Sequence, residues 1–354
     1  MQIHLNETQR LLRDSLRDLL ERELPFDRVR ELERSGEWDA SLWATLRSSG
    51  WLALPFPRES GGEGGSLVET AVLIEELARR AALVPFVETV ASALVLAPGH
   101  PEAVRRVIAG EATIAPALFG ADDSPRTGAE VVGGKLSGEK QSVDYPAASL
   151  HLISARMHDA VGLGLVSSDD PGVSVCPVAH IGRSPKARVT YQQVPVSITL
   201  ESAELETLLG LGTLLSAVQC LGSAQQAFDM TVAYVANRVQ FGRPIGTFQA
   251  VQHECADMAT LLEITRFLVY QAVAKFAAGA AQPDDIAGAK AWAARTAVDV
   301  TMMSHQLHGG IGVTEEYDLN FFSRRARDRA LAWSTETECL RVVAEGVDAP
   351  EAWV

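Results

Sequence analysis

The succession of patterns along the chain predicts an α+β multidomain fold: a helical N-terminal domain, a strand-rich middle domain and a helical C-terminal domain. Three observations carry this expectation. Apolar residues recur at helical spacing to about residue 110, β-branched and period-two stretches fill 111–203, and long helical patterns return from 204 onward. A chain of 354 residues suits two or three packed units, and the expected domains are 1–110, 111–203 and 204–354. No self-similar period points to a repeat architecture.

In the first stretch, Asn6 and Gln9 form a capping-box pattern, and Leu12, Leu16, Leu19 and Leu20 recur at helical spacing until Pro25 stops the run. Leu42, Trp43 and Leu46 suggest a second helix that ends at Gly50, with Trp51 expected in the core. The segment SGGEGGS lacks the strand and the Lys-Ser/Thr signature of a phosphate cradle, so it reads as a turn. Val68, Val72, Glu75, Glu76 and Leu77 then open a long helix. In the middle stretch, Gly133-Gly134, Leu150 to Ala155, VGLGLVSSDDPGVSVCPV and ARVTYQQVPVSITL read as strands split by Gly, Pro and Asp. The last stretch predicts helices over 205–236, 247–278 and 284–308, and another after 318. Gly242, Pro244 and Gly246 punctuate the first pair, and Gln282-Pro283-Asp284 starts the third.

Composition narrows the function. With 47% hydrophobic and 21% charged residues the chain can fold without help, which excludes a disordered or collagen-like protein. Lys and Arg total 31 against 45 Asp and Glu, a net charge of −14 that repels phosphate backbones and anionic lipid heads. Neither nucleic acid nor a membrane is an expected partner. Cys176, Cys220, Cys255 and Cys339 are far apart and lack metal-ligand spacing, so no metal and no disulfide are expected. The N-terminus has no signal-peptide core and no apolar run approaches the ~20 residues of a membrane span, so a cytoplasmic location is expected.

Two segments are specific. The first runs from Arg238 through Gln240, Phe241, Gly242, Pro244 and Phe248 to Gln249, followed by Gln252, His253, Ala256, Asp257 and Met258. The second runs from Gln306 through His308, Gly309, Gly310 and Gly312 to Tyr317, leading to Arg324-Arg325. Singly, Arg238 reads equally as a surface charge and Gly309-Gly310 as a helix stop. Together, in this order and at this distance, they resemble the C-terminal half of the acyl-CoA dehydrogenase family. The N-terminal stretch agrees, through Gly50-Trp51, GGEGG and Glu75-Glu76-Leu77.

The resemblance spans nearly the whole chain and implies a helical N-terminal domain, a middle β-barrel and a C-terminal four-helix bundle. It also implies tetramers built from dimers that share FAD across their interface. The positions matching the family's FAD contacts are Arg238, Gln240, Phe241, Gln249, Gln306, Gly309 and Gly310. Their chemistry fits, since a guanidinium binds a pyrophosphate through paired hydrogen bonds, Phe241 offers a flat apolar wall, and Gln306 can both donate and accept. Gly309-Gly310 lets backbone N–H groups approach an oxygen-rich ligand closely. His253 and His308 read as structural hydrogen-bonding residues.

The family reaction takes a proton from the carbon α to an acyl-CoA thioester and passes a hydride from the β carbon to the flavin, which requires a carboxylate base. Ungapped counting puts Trp333 and Gly212 at the two positions where the family carries that base. Neither accepts a proton. A three-residue shift that matches Arg327-Asp328 to the family's Arg-Asp pair brings Glu336 to the first position, and Glu338 fares no better. In the middle domain, Ala115 to Asp123 stands where active members carry Thr-Glu-Pro and Gly-Ser-Asp, and Gln141-Ser142-Val143-Asp144 replaces a Trp-x-Thr strand. The segment Asp318 to Ala326 is similar to bacterial heterotetrameric members acting on steroid-CoA or other bulky acyl-CoA substrates.

The expected function is therefore an FAD-dependent acyl-CoA dehydrogenase subunit that completes a flavin site without supplying the base. Its expected partners are an acyl-CoA substrate, a homologous base-bearing subunit, and an electron-transfer flavoprotein as acceptor. Two alternatives stand beside it: a self-sufficient homomeric dehydrogenase with Glu336 as base, and a non-enzymatic scaffold on the same fold.

Overall fold

The computed structural model describes residues 5–347, in which six helices precede eight strands and the remaining long helices follow. The leading helices are α1 (Glu7–Glu23), α2 (Phe26–Ser35), α3 (Ala40–Ser48), α4 (Leu67–Arg79), α5 (Phe86–Leu96) and α6 (Pro101–Ile108). The strands are β1 (Ile114–Ala117), β2 (Ala129–Val132), β3 (Lys135–Asp144), β4 (Leu150–Met157), β5 (Ala160–Ser167), β6 (Val173–Pro177), β7 (Lys186–Pro195) and β8 (Ile198–Leu200). Then come α7 (Ser202–Asn237), the short strands β9 (Val239–Gln240) and β10 (Arg243–Pro244), α8 (Gln249–Ala277), α9 (Pro283–His308), α10 (Leu319–Leu331) and α11 (Glu336–Val347).

Local chemistry sets these boundaries. The Asn6 side chain accepts from the Gln9 backbone and Gln9 reaches back to the Asn6 N–H, so the first turn of α1 starts with two of its free donors satisfied. Asp39 caps α3 by accepting from the Leu42 N–H at 2.8 Å. Pro283 occupies the first turn of α9, where its missing N–H costs nothing. Trp51, expected in the core, is only half-buried.

The chain divides into two compact units. One comprises Arg30–Ser66 and Leu83–Gly212. Its sheet runs in the order β6-β7-β3-β2-β4-β5-β8, with β1 paired parallel to β4. Leu136, Ile153, Val166, Val189, Tyr191 and Val194 fill its core. Helix α5 packs on β1, where Thr89 Oγ1 accepts from the Ile114 N–H at 3.1 Å and donates to the Ile114 carbonyl at 3.3 Å.

The other unit takes the residues up to Val29, Leu67–Ala82, and the chain from Thr213 onward. Here α9 packs against α8, α10 and α11, and α4 against α1 and α8. The fully buried Lys290 ties α9 to its neighbours by donating to Ser216 Oγ at 2.8 Å and the Arg329 carbonyl at 2.5 Å. Burial pushes the pKa of its ammonium down.

Contrary to the sequence expectation, α7 is long and apolar enough to cross a membrane. In the fold, 78% of its most apolar stretch is buried, as in the core helix of a helical bundle.

Candidate functional site

The structure brings the two motif segments to one place in the helical unit. Helix α7 ends at Asn237, and the next residues form a two-stranded hairpin in which Arg243 pairs with Gln240 and Pro244 with Val239. Its two turn residues, Phe241 and Gly242, have φ of +52° and +80°, the signs of a type I′ turn. Glycine takes that conformation freely, whereas a left-handed Phe costs ~1–2 kcal/mol. Phe241 is also 92% exposed, so the hairpin holds a strained aromatic ring out in solvent. The Ile245 N–H donates to the Arg238 carbonyl at 2.8 Å and closes the hairpin's base. Behind it, Phe248 meets Phe241 edge-on at 6.1 Å and carries the Arg243 guanidinium 4.2 Å above its ring. Arg238, Gln240 and Gln249 are all exposed, with Gln249 opening α8.

The second segment sits at the C-terminal end of α9. His308 Nδ1 donates to the Ser304 carbonyl at 2.7 Å, and the ring stacks on Tyr234 at 4.3 Å and leans against Tyr317 at 5.1 Å. Burial lowers the His308 pKa, which keeps the ring neutral in this aromatic sandwich. Tyr234 lies one turn before Arg238, and its hydroxyl donates to the His308 carbonyl at 3.4 Å. One residue thus clamps the two arms together. Gly309 then takes φ +63° and ψ −143°, a region essentially restricted to glycine. A Cβ at Gly309 or Gly310 would meet nothing within 4 Å, so open space, not packing, surrounds this backbone. Gln306, Gly309 and Gly310 are exposed.

Sequence reasoning missed Tyr234, Arg243 and Phe248 as supports. Tyr234 stands in the last turn of α7, four residues before Arg238, a one-turn spacing that was a usable signal. His308 is structural, as expected, whereas His253 is exposed near the start of α8.

The positions matched to the family base carry no free carboxylate. Trp333 lies in the bend between α10 and α11 with φ +67°, and Gly212 is buried within α7. Glu336 opens α11 and faces Arg295 at 3.7 Å, with both side chains substantially exposed. Glu338 accepts from the Thr335 N–H at 2.7 Å and hydroxyl at 2.8 Å, and so serves as a helix cap. In the sheet unit, Ser142 falls in a bulge of β3 with φ +51°.

A separate cavity of about 690 Å³ lies among α1, α4, α7 and α8; Glu75 and Glu76 line it, whereas none of the residues matched to the family's FAD contacts does. Its floor is an ionic network. Arg17 forks onto Glu76 at 2.7 and 2.9 Å, Arg79 reaches Asp229 at 2.6 Å, and Glu75 accepts from Arg266 at 2.8 Å and from the Tyr270 hydroxyl at 2.7 Å. Burial and the neighbouring Glu75 push the Tyr270 pKa well up, so the hydroxyl stays protonated and donates.

Comparison with known proteins identifies the family. The acyl-CoA dehydrogenase N-terminal domain matches residues 6–113 and the C-terminal domain matches residues 204–342. The chain is 30% identical over 349 residues to the probable acyl-CoA dehydrogenase FadE25 of Mycobacterium tuberculosis, covering 89% of each. It superposes on the Tcur3481-Tcur3483 steroid ACAD with a TM-score of 0.90 and 31% identity, covering 97% of this chain and 99% of that one. With the ChsE4-ChsE5 complex of Mycobacterium tuberculosis the TM-score is 0.92 and the identity 27%, covering 99% of both. The chain belongs to the acyl-CoA dehydrogenase family, flavoprotein oxidoreductases that act on CH–CH donors.

Proposed function

We propose that this chain is the subunit of a heteromeric FAD-dependent acyl-CoA dehydrogenase that completes the flavin site of a homologous partner and leaves the catalytic base to that partner. The observation that carries the reading is the Phe241 hairpin, where backbone strain is spent on holding an apolar ring in solvent. A ring so placed gains only if a ligand or a second chain covers it.

The residues fit FAD. Arg238 would take the pyrophosphate through charge-assisted hydrogen bonds and Phe241 would cover a flat apolar surface. Gln240, Gln249 and Gln306 would both donate and accept, and Gly309-Gly310 would turn backbone N–H groups toward ligand oxygens. When bound, FAD supplies the hydride acceptor for α,β-desaturation of an acyl-CoA thioester. The α proton then needs a base, which Trp333 and Gly212 cannot provide and for which Glu336 and Glu338 already have other partners. Two relatives are named as pairs, Tcur3481-Tcur3483 and ChsE4-ChsE5, which supports a two-component assembly here. An electron-transfer flavoprotein is the proposed electron acceptor.

Co-expression with a base-bearing relative should give a yellow complex holding about half the flavin per chain of a homotetramer. Arg238→Ala in this chain should strip that flavin while the complex stays assembled. A complex that keeps its flavin without Arg238 contradicts the proposal.

A further inference from the structure

The loop joining β1 to β2 is fastened at both ends by one side chain. Lys140 on β3 is fully buried, and its ammonium donates to the Leu118 carbonyl at 2.7 Å, the Thr127 carbonyl at 2.5 Å and Ser154 Oγ at 2.9 Å. Ser154 in turn donates to the Leu118 carbonyl at 2.6 Å. The backbone on either side of Lys140 grips the same loop: the Glu139 N–H donates to Gly128 at 2.6 Å and the Gln141 N–H to Phe119 at 2.8 Å. Gly128 has φ +87°, and a Cβ there would come within 2.6 Å of the Glu139 carbonyl, so this closure needs glycine. Within the loop, the Gly120 N–H donates to Ser124, and Asp122 accepts from the Thr127 hydroxyl.

Among the described residues, no carboxylate hydrogen-bonds this ammonium. Asp122 attracts it from a distance, and burial outweighs that attraction, lowering the pKa of Lys140 to about 8. Among the charged groups around the loop, Glu139 pairs with Arg188 at 3.7 Å, Glu130 with Arg156 at 2.9 Å and Arg126 with Glu206 at 2.5 Å, while Asp123 is exposed. Strand β1 contributes no ionisable side chain. Carboxylates and guanidinium groups keep their charge between pH 7 and 9, so the lysine is the group that changes there.

We propose that Lys140 is the positioning residue of the 118–127 loop and that the loop is a proton-coupled flap, taking up a proton when it opens. Both charge states close the hydrogen-bond ledger. The ammonium uses three donors. The neutral amine serves the two carbonyls with its two N–H groups and accepts from the Ser154 hydroxyl. Burying the neutral form omits the cost of desolvating a charge. The sign follows from linkage: a lysine more acidic in the closed loop than in water favours the open loop at neutral pH and the closed loop at higher pH. Residues 118–123 of the flap fall in the segment that stands where active members carry Thr-Glu-Pro and Gly-Ser-Asp, although the flap's behaviour does not depend on which subunit holds the flavin.

Amide hydrogen exchange on the intact chain tests this. After correction for intrinsic rates, protection across 119–128 should rise about tenfold between pH 7 and pH 9, given a closed-loop value near 8 and an open-loop value near 10.4. Amides of β4 and β5 in the same molecule should show no such rise. Lys140→Met should abolish the slope, and Ser154→Ala should reduce it by removing the donor to the neutral amine. A flat wild-type profile overturns the proposal whether or not either variant folds, as does a Lys140→Met variant that keeps the slope.

Discussion

The helical unit uses its arginines in two opposite ways. Around the cavity, Arg17, Arg79 and Arg266 are spent on Glu76, Asp229 and Glu75, and the carboxyls of Glu75 and Glu76 are almost fully buried. At the arms, Arg238 is exposed and makes no ion pair among the described residues, and it stands beside a strained, solvent-facing Phe241. Saturated charges hold helices together, while unspent donors on a stiff frame remain available to a ligand. The cavity among these helices is therefore the weaker functional candidate, and a flat, open surface is the stronger one.

Substitutions can break this contrast. Glu75→Ala leaves Tyr270 without its acceptor and Arg266 with Gln225 alone, and urea unfolding should show a loss of about 3–5 kcal/mol. A loss below about 1 kcal/mol would mean that the network is solvated and contributes little. Phe241→Gly relieves the positive φ and should gain about 1 kcal/mol while lowering flavin retention by the assembled complex. Stability and cofactor binding moving in opposite directions is the signature expected of a functional strain. Arg238→Ala should change stability by no more than about 0.5 kcal/mol, because that guanidinium is exposed and makes no ion pair among the described residues.

The smallest expected effect is on pH dependence. His151 is buried, with Nε2 donating to the Pro146 carbonyl and Nδ1 accepting from the Tyr191 hydroxyl, each at 2.9 Å. Burial lowers its pKa below the ordinary 6.5, and burial also lowers those of His305 and His308. The unfolded chain then binds protons first, so stability is complete above pH 6.5 and declines as the pH falls through the depressed values. Urea midpoints should fall from pH 7.5 to pH 5, and His151→Gln should flatten part of that decline.

Local signals in the sequence reached as far as local physics does. The Asn6–Gln9 capping box, the stop at Pro25 and the Gly242–Pro244 punctuation each depend on neighbours in the chain, and each appears where expected. The partners of Glu75, by contrast, lie 191 and 195 residues away, and nothing in the pattern of α4 announces them. Nothing in the sequence marks Lys140 either, because two of its three acceptors are backbone carbonyls, which leave no trace in side-chain composition. The left-handed Phe241 was invisible for a similar reason: sequence indicates a turn at Gly242, whereas its type and strain follow from the β9–β10 register.

The most direct test of the central claim is the flavin content of this chain purified alone after incubation with excess FAD and gel filtration, read from its visible absorbance. The account predicts a colourless protein that turns yellow only when assembled with a base-bearing partner. One flavin per lone chain, bleached by an acyl-CoA and no longer bleached after Glu336→Gln, would contradict it.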